Sequence, residues 1–341
     1  MHRSIRGSPK STTIDEPPLP LPVNVNPLIS ELLLKRHAKQ MINQTFTKGV
    51  FQKSILDKDK IYDTSWAVII GIDEYEDKPL KYAVRDAHEI YNVLITNFGF
   101  KKDNIQLLIN EDATLSNIKN SLINISKSAN NNDRILVFYA GHGTTESTFD
   151  GSERNGYLIP FDGRLDNAFA TGLDMDFISK LCGRSHAKHM LFLMDACYSG
   201  LMAENTRGLN IEKKEGFLTK VINKTARQII TAGSANESVL ERDEWQHSAF
   251  TINLLDALNN LKADIDGDKF LTTEELGIYL RKSVTESTNG KQTPQVANFK
   301  YGEGGEFVLC GESIEKKTGS AVVFPSNFMF SHEVKKIISG N

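Results

Sequence analysis

Two side chains able to do nucleophilic chemistry together stand at the ends of two apolar runs. The stretch 188–200 reads Lys-His-Met-Leu-Phe-Leu-Met-Asp-Ala-Cys-Tyr-Ser-Gly and carries Cys197; the stretch 133–143 reads Asp-Arg-Ile-Leu-Val-Phe-Tyr-Ala-Gly-His-Gly and carries His142. A thiol has a reference pKa of about 8.5, so little of it is thiolate at neutral pH unless a neighbour takes the proton. An imidazole within reach can accept that proton and later return it to a leaving group. Alone, a cysteine at a strand end is a small buried apolar residue, and a single histidine says little. The pairing carries the information: both follow apolar runs and both are flanked by residues that let the backbone turn.

Such side chains must be held by a scaffold, and the runs before them describe one. Met190–Met194 and Ile135–Tyr139 read as buried strands of a parallel sheet, bounded by turn-forming residues. Open α/β sheets place their ligands at the carboxyl ends of such strands. Strands are also predicted over Trp66–Ile72, Asn104–Ile109 and Gln228–Gly233. Helices are predicted over Leu80–Asn97, from a Thr114 or Ser116 cap to Ser128, over Asp174–Cys182 and over Ser248–Leu261. This alternation predicts an α/β fold with a doubly wound, largely parallel sheet. Thr144–Arg154 reads as a polar, mobile loop and Tyr157–Pro160 as a short edge strand.

The composition is that of an ordinary globular chain: 341 residues, 40% hydrophobic, 24% charged and a formal net charge of −3. No basic excess points to nucleic acid. No apolar run reaches a membrane span, and no apolar core of a secretory signal opens the chain. Cys182, Cys197 and Cys310 do not make a disulfide framework, which leaves a reducing, cytoplasmic setting as the expectation. Residues 1–26 are rich in Ser, Thr and Pro and read as a disordered tail; Pro27–Phe51 has helical spacing without an assignable role.

Tyr139-Ala140-Gly141-His142-Gly143 and Asp195-Ala196-Cys197-Tyr198-Ser199-Gly200 resemble the His and Cys motifs of caspase-like cysteine peptidases, nearer to metacaspases and bacterial caspase homologues than to animal caspases. The order of the motifs and their separation of roughly 50 residues agree with that pattern. The resemblance implies a caspase-like α/β/α sandwich over residues 61–312, between an N-terminal tail (1–60) and a C-terminal extension (313–341). It implies an endopeptidase working through a Cys197–His142 dyad, with the backbone N–H groups of Gly143 and Cys197 as oxyanion hole and no cofactor needed for the chemistry. Animal caspases carry Gln two residues before the nucleophile; this chain has Asp195. Lys81-Tyr82-Ala83-Val84-Arg85-Asp86-Ala87 resembles the metacaspase segment that brings a second acid, here Asp86, into the same pocket. Two carboxylates would hold a guanidinium or ammonium and repel an acidic side chain, so the expected partner is a protein or peptide cut after Arg or Lys. The pocket arginine of animal caspases has no evident match near Leu80. Caspase-like enzymes often cut the loop after the catalytic strand, which here carries Arg207, Lys213 and Lys214; self-cleavage of a zymogen there is the expectation, a solvated uncut loop the alternative.

Asp264-Ile265-Asp266-Gly267-Asp268-Lys269-Phe270-Leu271-Thr272-Thr273-Glu274-Glu275 fits an EF-hand loop, with oxygen ligands at Asp264, Asp266, Asp268 and Glu275. Lys269 stands where that loop has Gly. The stretch therefore reads either as a Ca²⁺ site or as a capped turn between two helices. Two rivals to an enzyme remain at this point: a non-catalytic caspase-like adapter, and a calcium-responsive binding module.

Overall fold

The computed structural model describes residues 61–148, 150–151, 154–196, 217–233, 237 and 239–310. All of them belong to one of the chain's two compact units, Leu56–Asn341. Pro27–Phe51, Cys197, the segment with Arg207, Lys213 and Lys214, and residues 313–341 lie outside the described residues.

The core is one six-stranded sheet. In chain order its strands are β1 (Ser65–Gly71), β2 (Ile105–Ile109), β3 (Arg134–Ala140), β7 (His189–Asp195), β8 (Ala226–Thr231) and β12 (Gln295–Asn298), and their spatial order is β12-β8-β7-β3-β1-β2. Five strands run parallel; β12 closes one edge antiparallel to β8. The central strands are apolar on both faces, as expected where helices cover both sides. Along β7, Leu191 and Leu193 join a cluster with α1 (Ala83–Phe98), α6 (Ala249–Asn260) and α7 (Thr273–Ser287). Met190, Phe192 and Met194 join the opposite cluster with α2 (Leu115–Ser128) and α4 (Met175–Cys182). Alternation then puts Asp195 on the face of Leu191 and Leu193, toward α1 and α6.

Two local features fix where α1 and α6 begin. Gly71 ends β1 under α1, and a Cβ there would lie 2.6 Å from the Ala83 carbonyl oxygen and 2.7 Å from the Ala87 Cβ. Only glycine lets the helix come this close. Ser248 caps α6, its Oγ accepting from the Thr251 N–H at 2.8 Å. Thr114 likewise caps α2 through the Asn117 N–H.

The structure departs from the sequence expectation after His142. Thr144–Arg154 is not simply a loop: β4 (Gly143–Ser147) and β5 (Arg154–Leu158) pair antiparallel, and β5 also pairs with β6 (Leu173–Asp174). β5 is thus the central strand of a small three-stranded sheet rather than an edge. Thr144 and Thr145 are β-branched and suit a half-buried strand. The helix expected from Leu80 starts at Ala83, and the Lys81 and Tyr82 N–H groups before it are taken by the Glu241 carboxylate at 3.2 and 3.1 Å. The remaining elements are α3 (Ala168–Thr171), α5 (Phe217–Ile222), a ribbon of β9 (Glu241–Arg242) with β10 (His247–Ser248), and a pair of β11 (Phe270–Thr272) with β13 (Val308–Cys310). Among the described residues, no helix is long and apolar enough to cross a membrane.

Candidate active site

The register of β3 against β7 pairs Ala140 with Asp195, and Gly141 N–H donates to the Asp195 carbonyl at 3.3 Å. His142 follows Ala140 by two positions, as Cys197 follows Asp195 in the sequence; Cys197 itself is outside the described residues. Cys182 is no substitute for it. It is buried, and burial pushes its thiol up to about 12.

His142 is held on every side that the backbone can reach. Its N–H donates to the Tyr75 hydroxyl at 3.0 Å, and its carbonyl accepts from the Tyr139 hydroxyl at 2.7 Å and the Ile159 N–H at 2.9 Å. Tyr75 in turn donates to the Ile159 carbonyl at 2.9 Å, and its ring lies 4.6 Å from the imidazole, centroid to centroid. Gly141 is needed for this packing: a Cβ would meet the Tyr75 and Tyr139 hydroxyls at 2.5 and 2.7 Å.

The imidazole Nε2 lies 2.6 Å from the Lys78 carbonyl oxygen. A carbonyl can only accept, so Nε2 carries the proton and Nδ1 presents a lone pair. Burial holds the His142 pKa below its ordinary 6.5, opposed by the Lys78 carbonyl; the ring is therefore neutral at pH 7 and ready to accept a proton. Lys78 adopts φ +58°, a left-handed conformation unusual for a residue with a side chain. The turn that aims its carbonyl is pinned by Leu80 N–H on the Asp73 carbonyl at 2.9 Å. Asn110 Oδ1 accepts from the Asp73 and Glu74 N–H groups at 2.9 and 3.3 Å. A third group beside the histidine was not visible in the sequence, because it is a backbone oxygen.

His142 and Gly143 line a cavity of about 290 Å³ together with Asp86, Asp195, Glu241 and Leu80. Asp86, in the first turn of α1, is 1% exposed, and Asp195 is 3% exposed. Neither is a surface charge. Ser248 bridges them: its N–H donates to Asp86 Oδ2 at 3.2 Å and its hydroxyl donates to Asp195 Oδ2. Thr251 Oγ1 donates to the same Asp195 oxygen at 2.7 Å, and His247 Nδ1 lies 2.5 Å from Asp86 Oδ1. Asp195 Oδ1 is buried without a hydrogen-bond partner. Burial, with the Asp86 carboxylate next in importance, pushes the Asp195 pKa up to about 8. Burial also raises Asp86, opposed chiefly by His247. Among the described lining residues the one cation is Lys78.

The caspase-domain model of the peptidase C14 family matches residues 64–300. This chain belongs to that family. It is 28% identical to Metacaspase-6 of Arabidopsis thaliana over 185 residues, 49% of this chain and 48% of that protein. It is 29% identical to Arabidopsis Metacaspase-4 over 154 residues, covering 42% and 35%, and 27% identical to Metacaspase-1 of Saccharomyces cerevisiae over 148 residues, covering 40% and 34%. The matches thus span about half or less of these relatives' length. The mostly parallel sheet between two helix layers is the caspase-like sandwich that the motifs implied.

Within this caspase-family domain the sequence pointed to Asp86 and Asp195 but not to Glu241, His247, Ser248 or Thr251. Ser248 and Thr251 were legible only as a helix start; their spacing of three puts both hydroxyls on one face of α6, which is the available clue. Glu241 is half-buried, and burial raises its pKa above the ordinary carboxylate value.

The Asp-rich loop connects α6 to α7, away from this cavity in the chain order. Carboxylate oxygens of Asp264, Asp266 and Asp268 lie within 4.8 Å of one another. Asp264 also accepts from the Gly267 and Lys269 N–H groups at 2.8 and 3.0 Å, and Lys269 takes φ +68°, the left-handed conformation the loop needs at that position. Glu275 lies outside this group of three. Its Oε2 accepts from the Thr272 N–H and hydroxyl at 3.0 and 2.8 Å, forming the capping box of α7. The three aspartates are oxygen donors of the kind calcium takes, and the second oxygen of Glu275, Oε1, accepts from the Ile265 N–H of the same loop at 3.4 Å.

Proposed function

We propose that this protein is a cysteine endopeptidase that hydrolyses peptide bonds after Arg or Lys. The observation that carries the reading is the shared cavity: the neutral His142 lines the same space as the buried Asp86 and Asp195, and Asp195 Oδ1 has no hydrogen-bond partner. A guanidinium or ammonium donating to that oxygen would replace a solvation the carboxylate lacks.

In the proposed reaction His142 Nδ1 takes the Cys197 thiol proton, and the thiolate attacks the carbonyl carbon after the basic residue. The carbonyl electron pair moves to the oxygen, stabilised by the N–H groups of Gly143 and Cys197. Collapse breaks the C–N bond, and the proton on Nδ1 passes to the leaving amine, giving a thioester. Water, deprotonated by His142, then hydrolyses the thioester and restores the thiol. The Lys78 carbonyl holds the ring and favours the imidazolium during each transfer.

The test uses fluorogenic peptides differing only in Arg, Lys, Gln or Asp before the scissile bond, with Cys197→Ala as control. Cleavage after Arg and Lys, lost in folded Cys197→Ala, is expected. Cleavage after Asp would overturn the pocket reading, and undiminished turnover by Cys197→Ala would move the nucleophile elsewhere.

The same specificity would act on the chain itself between Arg207 and Lys214, as a zymogen cut. Incubation should yield fragments beginning at Gly208, Lys214 or Glu215 in the native chain and none in Cys197→Ala. Calcium is proposed at Asp264, Asp266, Asp268 and Glu275: titration calorimetry should show uptake that Asp266→Ala removes, and a silent titration at millimolar calcium would leave a capped turn. The buried thiol of Cys182 suits a reducing, cytoplasmic setting.

A further inference from the structure

The pocket just described sets an electrostatic problem that its two acids cannot solve alone. Asp86 and Asp195 are both sealed from water and share one bridging residue, Ser248. Like charges this close and this dry do not both ionise unless positive charge is supplied. A substrate with one guanidinium or ammonium supplies one such charge. Hydroxyls and backbone N–H groups supply the other contacts to these oxygens, and they bring hydrogen bonds without charge.

The exception is His247. It is 7% exposed, sits at the first position of β10 immediately before the α6 cap, and places Nδ1 2.5 Å from Asp86 Oδ1. Among the described residues its Nε2 has no hydrogen-bond partner, and it is not one of the sealed orphan atoms, so it is the ring position open to exchange with solvent. Charged groups near the ring come from several elements. From α1 they are Asp86 and Arg85, whose guanidinium donates to Gln246 Oε1; from β7, Asp195; from β9, Glu241 and Arg242, the latter 4.5 Å over the Trp245 ring. The first turn of α6 carries no acid. Asp86 is the carboxyl in contact with the ring, and Asp195 and Glu241 share the adjoining cavity with it. Arg85 and Arg242 are turned to other partners.

We infer that His247 is the positioning residue that lets this pocket present two carboxylates to a substrate carrying one positive charge: as imidazolium it pairs with Asp86 and leaves the unpartnered oxygen of Asp195 to the guanidinium or ammonium. The inference deepens the proposed basic-residue specificity and rests on it. Substrate entry then draws a proton onto the His247 ring while Asp195 gives one up, so the occupied pocket is neutral overall across these four groups. The raised pKa of Asp195 in the empty pocket fits this division, since burial and Asp86 together keep it protonated until a cation arrives.

The experiment compares wild type with His247→Gln on two reporter peptides that differ only in Arg or citrulline before the scissile bond. Citrulline is a neutral isostere of Arg. Gln keeps a hydrogen-bond donor for Asp86 but cannot carry charge. For the Arg peptide, the acid limb of kcat/KM is expected to move up by about one pH unit in His247→Gln, the shift a lost neighbouring charge produces. At pH 7 that is a roughly tenfold fall, expressed mainly in KM. The gap between the Arg and citrulline limbs widens accordingly. A purely structural His247 would leave that gap unchanged, and an unchanged gap overturns the inference while sparing the basic specificity. A wild type that cuts citrulline as well as Arg overturns both. If His247→Gln does not fold, the imidazole nitrogens of the wild type are followed by NMR during titration with benzamidine, which mimics the arginine head group. Protonation of both His247 nitrogens in the complex at pH 7 is expected; a ring that stays neutral overturns the inference.

Discussion

Replacing Asp195 by Asn should weaken the enzyme and strengthen the fold. Asn keeps an oxygen for the Ser248 and Thr251 hydroxyls but removes the charge. A hydrogen bond to a charged group is worth about 1.5–3 kcal/mol, so kcat/KM for an Arg peptide should drop about 10- to 100-fold. The stability change has the opposite sign. Asp195 holds its proton up to about pH 8 in the folded chain, against an ordinary value of 3.8. The folded state therefore binds one more proton than the unfolded state between those limits, and stability falls as pH rises through that window. At about 1.4 kcal/mol per pH unit, the burden at pH 7 is on the order of 4 kcal/mol. Asn removes it, but sets an amide N–H₂ where Asp195 Oδ1 has no partner, which costs about 1–3 kcal/mol. The net gain is roughly 1–3 kcal/mol, or several degrees in Tm for a domain of this size. At pH 4 the gain should vanish, leaving only the amide penalty. Thermal melts from pH 4 to pH 9, run beside Arg-peptide kinetics, measure both halves. An Asp195→Asn protein destabilised equally at pH 4 and pH 9 would refute the electrostatic account, and unchanged kcat/KM would refute the role in binding.

The positioning of His142 yields three further expectations. Tyr75→Phe leaves the His142 N–H and a contact to the Ile159 carbonyl unmet, so Tm and kcat should both fall, by about 1–3 kcal/mol in stability; a melt and a kinetic profile unchanged from wild type would remove Tyr75 from the site. Lys78→Val forces a β-branched residue to φ +58° and should cost about 1–2 kcal/mol and displace the carbonyl from Nε2, whereas Lys78→Gly should keep kcat; equal behaviour of the two variants would dismiss the backbone carbonyl. For a citrulline peptide, which does not need an anionic pocket, the acid limb of kcat/KM should lie below pH 6.5, because burial lowers the His142 pKa; a limb above that value would mean that the ring is not desolvated.

Much of this protein was determined by the sequence alone. Apolar runs on both faces of the strands required a sheet covered twice, and Gly-bracketed His142 after one run and Cys197 after another pointed to the carboxyl edge as the place to look for chemistry. Thr114 and Ser248 announced their helices because a hydroxyl before an apolar period satisfies N–H groups that the helix cannot. What tertiary structure decided was contact across long separations. Asp86 meets His247 across 161 residues and Asp195 meets Ser248 across 53, because one face of β7 is closed by α1 and α6 together. The Lys78 oxygen that fixes the histidine tautomer belongs to the backbone, and no residue type encodes where a carbonyl points. β4 was hidden for the same kind of reason: it is polar and pairs with β5 through main-chain groups, so hydrophobic periodicity gave no sign of it. Periodicity reports which face a residue buries; it carries no record of which distant residue waits on that face.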